Sequence, residues 1–393
     1  MKEERLYFVE NLRVFLIILV ILQHVVRACG SVMWWFVKDV PAPALEHFTA
    51  VNSSFFMSLF FVISFYFLPG SYDKKGFWKF HADRFLRLGV PLLFYVFAAA
   101  APMMYYYFIH FRANAPVGFG AYFTDYFLGL AGKPAQWSGP SWPDINLGHL
   151  WFIEHLGLYG ILYSLYRLAA DRMAKRSGNA QLDAQPTNAA NPAAFPGLVQ
   201  IGLCALIVAL VAFVLRLHRP LYDWIGFLGF IQIEFAHFPF YAAMFFIGLY
   251  GARNGWLTRI PESVGKMALT VGVVCGALIA LMPVEPAWFG GPTVQSFAYT
   301  LTETFACFGL VIGLLYLFRK CFSGQNRLMK LLAQNTYLVY IIHLPIVVIM
   351  QNLLLASGLN PYLKFALISV LSVPVVFAVS ILLRKIPYLK KYV

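Results

Sequence analysis

Arg13 and His24 lie in the first long apolar stretch of the chain, between Asn11-Leu12-Arg13-Val14 and Leu22-Gln23-His24-Val25. A guanidinium and an imidazole are expensive in hydrocarbon, so ionisable residues in such a stretch are candidates for function. At about 100° per residue, eleven steps bring the two to within roughly 20° of one helix face; at about 1.5 Å per residue they differ in depth by about 16 Å. One face therefore carries a fixed cation near one membrane surface and a titratable base well inside. That layout suits chemistry in which an anionic ligand enters from one side and a proton moves deeper in.

Two further groups of residues could serve the same chemistry. Arg84 and Arg87 sit at helical spacing in Asp83-Arg84-Phe85-Leu86-Arg87 and face one way if the helix is regular. Guanidinium groups bind phosphates bidentately, so with Arg13 they would suit a polyanionic nucleotide; the competing reading is a topology signal reaching headgroups. Deeper, His24 shares a depth band with Glu303, with His343 in Tyr340-Ile341-Ile342-His343-Leu344-Pro345, and with Glu154 and His155 after Gly148-His149-Leu150-Trp151-Phe152. A buried imidazole can act as a general base, and a nearby carboxylate could set its tautomer. The competing reading is that each group only holds a neighbouring helix by a hydrogen bond. Buried charge of this kind also fits a carrier that uses His, Glu and Arg as a relay.

The elements that must position these groups are membrane helices. The chain is 60% hydrophobic and 12% charged, with a mean hydropathy of +0.69, outside the range of soluble domains. A span needs about 20 mostly apolar residues, and ten candidates run near 12–27, 55–68, 89–111, 150–167, 197–215, 237–251, 267–282, 297–318, 336–355 and 365–383. The apolar runs are continuous rather than alternating, so strands are not expected. The formal net charge of +13 is distributed unevenly: with ten spans, 22 of the 30 Lys and Arg fall on the N-terminal side, seven on the other, and Arg13 within the first span. That bias puts both termini in the cytosol and makes the basicity topological, with no nucleic acid partner expected. Five cysteines show no CxxC or metal spacing, so neither a disulfide framework nor a metal site is expected. The first apolar run contains Arg13 and His24 and reads as a span, not a cleaved leader. The expectation is an all-α, polytopic helix bundle forming one domain over 1–393. Residues 174–197, rich in Ala, Asn, Gln and Pro, read as a flexible cytosolic loop within it. The connection 111–149, full of Gly, Pro and aromatics, reads as folded over the outer mouth.

The Arg13-x10-His24 pair, Phe60-Phe61-Val62-Ile63-Ser64, Arg84-x-x-Arg87 followed by Pro91, His149-Leu150-Trp151-Phe152 and Tyr340-x-x-His343-x-Pro345 occur in the order of the integral-membrane acyltransferase-3 family. The chain resembles that family over nearly its whole membrane region and looks most like its glucan-modifying branch, that of the periplasmic glucan succinyltransferase (glucans biosynthesis protein C). It departs from the family in Phe65, where glycine usually follows the serine, and in the added Glu154-His155. The resemblance implies a multi-pass protein of the bacterial cytoplasmic membrane. It implies transfer of an acetyl or succinyl group from cytosolic acyl-CoA, the donor, to a hydroxyl of an extracytoplasmic glycan or related acceptor. On that reading His24 is the base, oriented by Glu303 or Glu154; Arg13, Arg84 and Arg87 hold the CoA phosphates; and His149, Trp151, Tyr340 and His343 shape the acceptor side, with Tyr340 donating to the developing oxyanion. No tightly bound cofactor is implied.

Overall fold

The computed structural model describes residues 6–31, 33–112, 116–177, 192–227, 230–387 and 389. The described chain is a helix bundle, as its continuous apolar runs require. The first half contains α1 (Tyr7–Val26), α2 (Pro43–Tyr66), α3 (Leu68–Arg84), α4 (Val90–Tyr95), α5 (Ala101–Phe111), the single turn α6 (Phe119–Ala121) and α7 (Trp151–Ser177). The second half contains α8 (Leu198–Arg216), α9 (Phe238–Asn254), α10 (Trp256–Arg259), α11 (Glu262–Leu281), α12 (Pro286–Phe289), α13 (Val294–Cys321), α14 (Arg327–Leu355) and α15 (Pro361–Leu383). Among the described residues eight helical runs are long and apolar enough to cross a membrane. All ten expected segments fall on helices, but two do not reach that length and composition. The 17 residues of α9 are too few, and α7 is diluted by Glu154, His155, Arg167, Asp171 and Arg172. Of the loop expected at 174–197, residues 178–191 lie outside the described residues.

Helix α1 is central, packing against α14, α2, α13 and α15. Polar side chains pin it along its length, because a polar group facing hydrocarbon must find a partner inside the bundle. Near its start Asn11 Nδ2 donates to the carbonyls of Phe322 at 2.7 Å and Gly324 at 2.8 Å. Near its end Gln23 Nε2 donates to Ser53 Oγ at 3.0 Å while its Oε1 accepts from Asn52 at 2.9 Å. Gln351 of α14 caps the last turn, donating to the carbonyls of His24 and Val25 at 2.9 and 3.0 Å and accepting from Trp35 Nε1 at 2.8 Å. The α11–α13 seam is closer. A Cβ on Gly309 would come within 2.5 Å of the Gly272 nitrogen, and one on Gly272 within 2.5 Å of the Leu310 nitrogen, so backbone meets backbone there as small residues allow.

Helices α3, α4 and α5 form one run, Leu68–Phe111, interrupted by π-turns at Phe85–Gly89 and Val96–Ala100. Each π-turn ends two residues before a proline, Pro91 or Pro102. Proline has no N–H and crowds the preceding turn, and the wider turn accommodates it.

One short antiparallel hairpin corrects the expectation that strands are absent. Strands β1 (Trp224–Phe227) and β2 (Ile231–Glu234) pair with Trp224 opposite Glu234 and Gly226 opposite Gln232. Side chains alternate across a strand, so Trp224, Gln232 and Glu234 share one face. The connection after α5 is folded, as expected, around the buried Arg112–Asp144 ion pair at 2.6 Å, with Tyr122 Oη donating to Asp144 at 2.7 Å and Trp137 under the guanidinium at 4.1 Å.

Candidate active site

Three imidazoles meet where α1, α14 and the turn before α7 converge. His24 and His343 have ring centroids 4.9 Å apart, His149 and His343 4.3 Å, and His24 and His149 5.9 Å. His149 is delivered by the turn Gly148–Leu150, where Asn146 Oδ1 accepts from the Gly148 nitrogen at 2.7 Å. Gly148 has φ +53 and a Cβ there would lie 3.0 Å from Leu344; a residue with a side chain is disfavoured on both counts.

Hydrogen-bond partners assign the tautomers. His343 Nδ1 lies 2.8 Å from the carbonyl of Tyr340 and 3.2 Å from that of Val339, and His24 Nδ1 lies 2.7 Å from that of Val20. A carbonyl only accepts, so both Nδ1 atoms carry the proton. In neutral imidazoles both Nε2 atoms then hold a lone pair. That of His343 faces His24 Nδ1 at 3.3 Å. That of His24 has no hydrogen-bond partner among the described residues, and His24 lines a cavity of about 80 Å³ together with Arg27, His149, Trp151, Trp224 and Tyr340. The buried ring nitrogens of His149 likewise have no hydrogen-bond partner among the described residues.

The carboxylates expected to orient His24 are elsewhere. Glu303 binds Arg216 Nη2 at 2.6 Å and His237 Nε2 at 3.0 Å. His237 Nδ1 in turn meets Glu234 at 2.8 Å, and Arg216 also donates to Thr300 at 3.1 Å. A buried arginine needs an opposite charge and hydrogen-bonding partners, and Arg216 takes Glu303 for that purpose. Glu154 Oε2 accepts from the Gln232 backbone nitrogen at 3.1 Å, and its neighbour His155 donates to the Trp151 carbonyl at 2.8 Å. Backbone carbonyl and imidazole, not carboxylate, orient His24. Burial alone would raise the Glu234 carboxyl; His237, the Tyr222 N–H and Arg216 outweigh it and hold it below the usual carboxylate range.

The remaining expected residues divide. Tyr340 and Trp151 do line the cavity. The Tyr340 hydroxyl, however, donates to the His149 carbonyl, so its proton is committed to holding His149 and not free for an oxyanion. Arg13 lies over the Phe67 ring at 5.4 Å. Arg84 lies over Phe80 at 4.7 Å and donates to the Leu156 carbonyl at 3.0 Å, whereas Arg87 pairs with Asp83 at 3.2 Å and is mostly exposed. The two arginines do not share one direction, because the π-turn beginning at Phe85 breaks the α-helical spacing between them. Arg27 is open to reading from the sequence, with Arg216 and Arg219, as an outer-side cation for a succinyl carboxylate, but spacing does not single out Trp224 and Gln232. The alternation Ile231-Gln232-Ile233-Glu234 is the signal that could have revealed their strand.

Fold and cavity define a multi-pass membrane protein with a cluster of three imidazoles beside a cavity inside its helix bundle. The chain belongs to the family described as an acyltransferase domain, which matches residues 6–385, and it is therefore a membrane acyltransferase. Comparison with curated proteins and with solved structures returns no match.

Proposed function

We propose that the chain moves an acetyl or succinyl group from acyl-CoA to a hydroxyl of a glycan or related acceptor on the opposite side of a bacterial cytoplasmic membrane, with His24 as general base. The observation that carries this reading is the fixed Nδ1–H tautomer of His24, which leaves a lone pair on Nε2 at the cavity. His24 Nε2 takes the proton of the acceptor hydroxyl as its oxygen attacks the thioester carbonyl. The C–S bond breaks, and the imidazolium returns the proton to the departing CoA sulfur. As charge develops on His24, the Val20 carbonyl stabilises it at Nδ1, in the place where other sites use a carboxylate. His343 and His149 keep the ring in position, and Trp151 forms a wall for the acceptor. Arg13, about three turns below His24 on the same helix, together with Arg84 and Arg87, supplies positive charge for the CoA phosphates, and the length of pantetheine suits the depth of about 16 Å between Arg13 and His24. The ordered motifs support the acyltransferase-3 family, and the glucan-modifying branch is the part of it the chain looks most like.

The test uses proteoliposomes with acyl-labelled acetyl-CoA or succinyl-CoA on one side and a glucan oligosaccharide on the other. Labelled acyl ester on the enclosed oligosaccharide, with CoA remaining outside, is the expected result. Uptake of intact solute without acyl-CoA, and no ester formed, would mean a carrier instead.

A further inference from the structure

Arg27 stands one turn beyond His24, and its guanidinium makes no hydrogen bond or ion pair among the described residues. The guanidinium carbon lies 5.8 Å from the centre of the Tyr222 ring. A cation placed among protein walls without a partner calls for an anion. The two nearest carboxylates are engaged elsewhere: Glu46 accepts from the Ser31 nitrogen at 2.5 Å and hydroxyl at 2.6 Å, and Glu234 from the Tyr222 nitrogen at 2.8 Å and His237 at 2.8 Å. They moderate the charge of Arg27 without pairing with it. Beyond Glu234 the charges already match, Arg216 with Glu303, so Arg27 is not needed to close that network.

A second observation comes from the hairpin. Arg27, His24, Trp224 and Gln232 line one cavity of about 120 Å³. Trp224 Nε1 and Gln232 Nε2 are buried donors with no hydrogen-bond partner among the described residues, and Gln232 is 6% exposed. Between them on the same strand face is Gly226, which also lines the cavity and fills none of it with a side chain. The platform under Arg27 is held deliberately: Tyr222 has φ +68, a strained conformation for a bulky residue, fixed by its N–H bond to Glu234. Burial raises the Tyr222 hydroxyl to about 12 against the pull of Arg27, so the ring stays neutral and does not neutralise the arginine. A guanidinium, an indole N–H and a carboxamide NH₂ offer donors to the cavity, the combination that a carboxylate satisfies.

We propose that Arg27, Trp224 and Gln232 form an anion subsite beside His24 that receives a carboxylate carried by the molecule brought to that base. The inference rests on the acyl-transfer reading for the reason a ligand arrives there. Such a carboxylate belongs either to the acyl group or to the acceptor, and two binding measurements on the full chain in neutral-lipid nanodiscs separate them. In the first, succinyl-CoA is compared with butyryl-CoA. In the second, oligoglucuronate is compared with neutral oligoglucose of equal length by quenching of tryptophan fluorescence, which requires no acyl transfer. In one of the two the charged ligand binds about tenfold or more tightly than its neutral partner. Arg27→Gln brings that ratio close to one, Arg27→Lys keeps part of it, and Gln232→Leu lowers it several-fold. A wild-type ratio near one in both measurements, or a ratio that survives Arg27→Gln, overturns the subsite. Failure of both acyl-CoA thioesters to bind would instead count against acyl-CoA as donor, and the second measurement would still decide on Arg27.

Discussion

At the scale of single residues, the site rests on which groups each polar side chain has already spent. His24 Nδ1 is committed to the Val20 carbonyl and Tyr340 Oη to the His149 carbonyl; what remains toward the cavity is the Nε2 lone pair of His24. Glu303 is spent on Arg216 and His237, which separates its role from that of His24. Glu303→Gln is expected to lower stability by about 3–5 kcal/mol, because it leaves the Arg216 charge buried without its partner; thermal unfolding in detergent checks this. His343→Phe leaves the His24 tautomer intact through Val20 but removes the second contact to the ring, and is expected to slow transfer about tenfold with a smaller change in KM, measured by initial rates. The histidines were legible in the sequence, since each interrupts or abuts an apolar run. Their partners were not: Arg216 and Glu303 lie on separate helices at matching depth, and nothing in either local sequence reports that match.

At the scale of elements, glycine and proline explain most of what departs from regular helices. Gly148 lets the turn before α7 set His149 against α14. Gly148→Val is expected to cost about 1–3 kcal/mol and to displace His149, read as loss of stability together with loss of transfer. Gly309→Leu, on the α11–α13 seam away from the histidines, would force the two backbones apart and cost about 1–3 kcal/mol, seen as a lower unfolding temperature. The helices were legible from continuous hydropathy, and all ten segments lie on them. Helix phase was not: the π-turn after Arg84 gives Arg84 and Arg87 different partners, although their spacing alone assigns them one face. The hairpin was hidden because four residues of alternation are brief beside long apolar runs, yet its face supplies Trp224, Gln232 and Glu234 to the site region.

At the scale of the whole molecule, the match over residues 6–385 and the packing of α1 among α14, α2, α13 and α15 make the first and last helices parts of one bundle. His24 and His343 are 319 positions apart in sequence, so the cluster exists only once the C-terminal helices have packed. The uneven distribution of Lys and Arg predicts that both termini lie on the cytosolic side, where the proposed donor would enter. Tags at the two ends should therefore be cleaved, or protected, together in sealed vesicles of known orientation; opposite accessibility would contradict the assignment.

The most direct measurement is single-turnover acyl transfer by purified His24→Gln in proteoliposomes, with acyl-CoA binding measured on the same sample. The predicted result is a rate lower by about 10²- to 10⁴-fold with acyl-CoA still bound; transfer at the wild-type rate would contradict the assignment of His24 as the base.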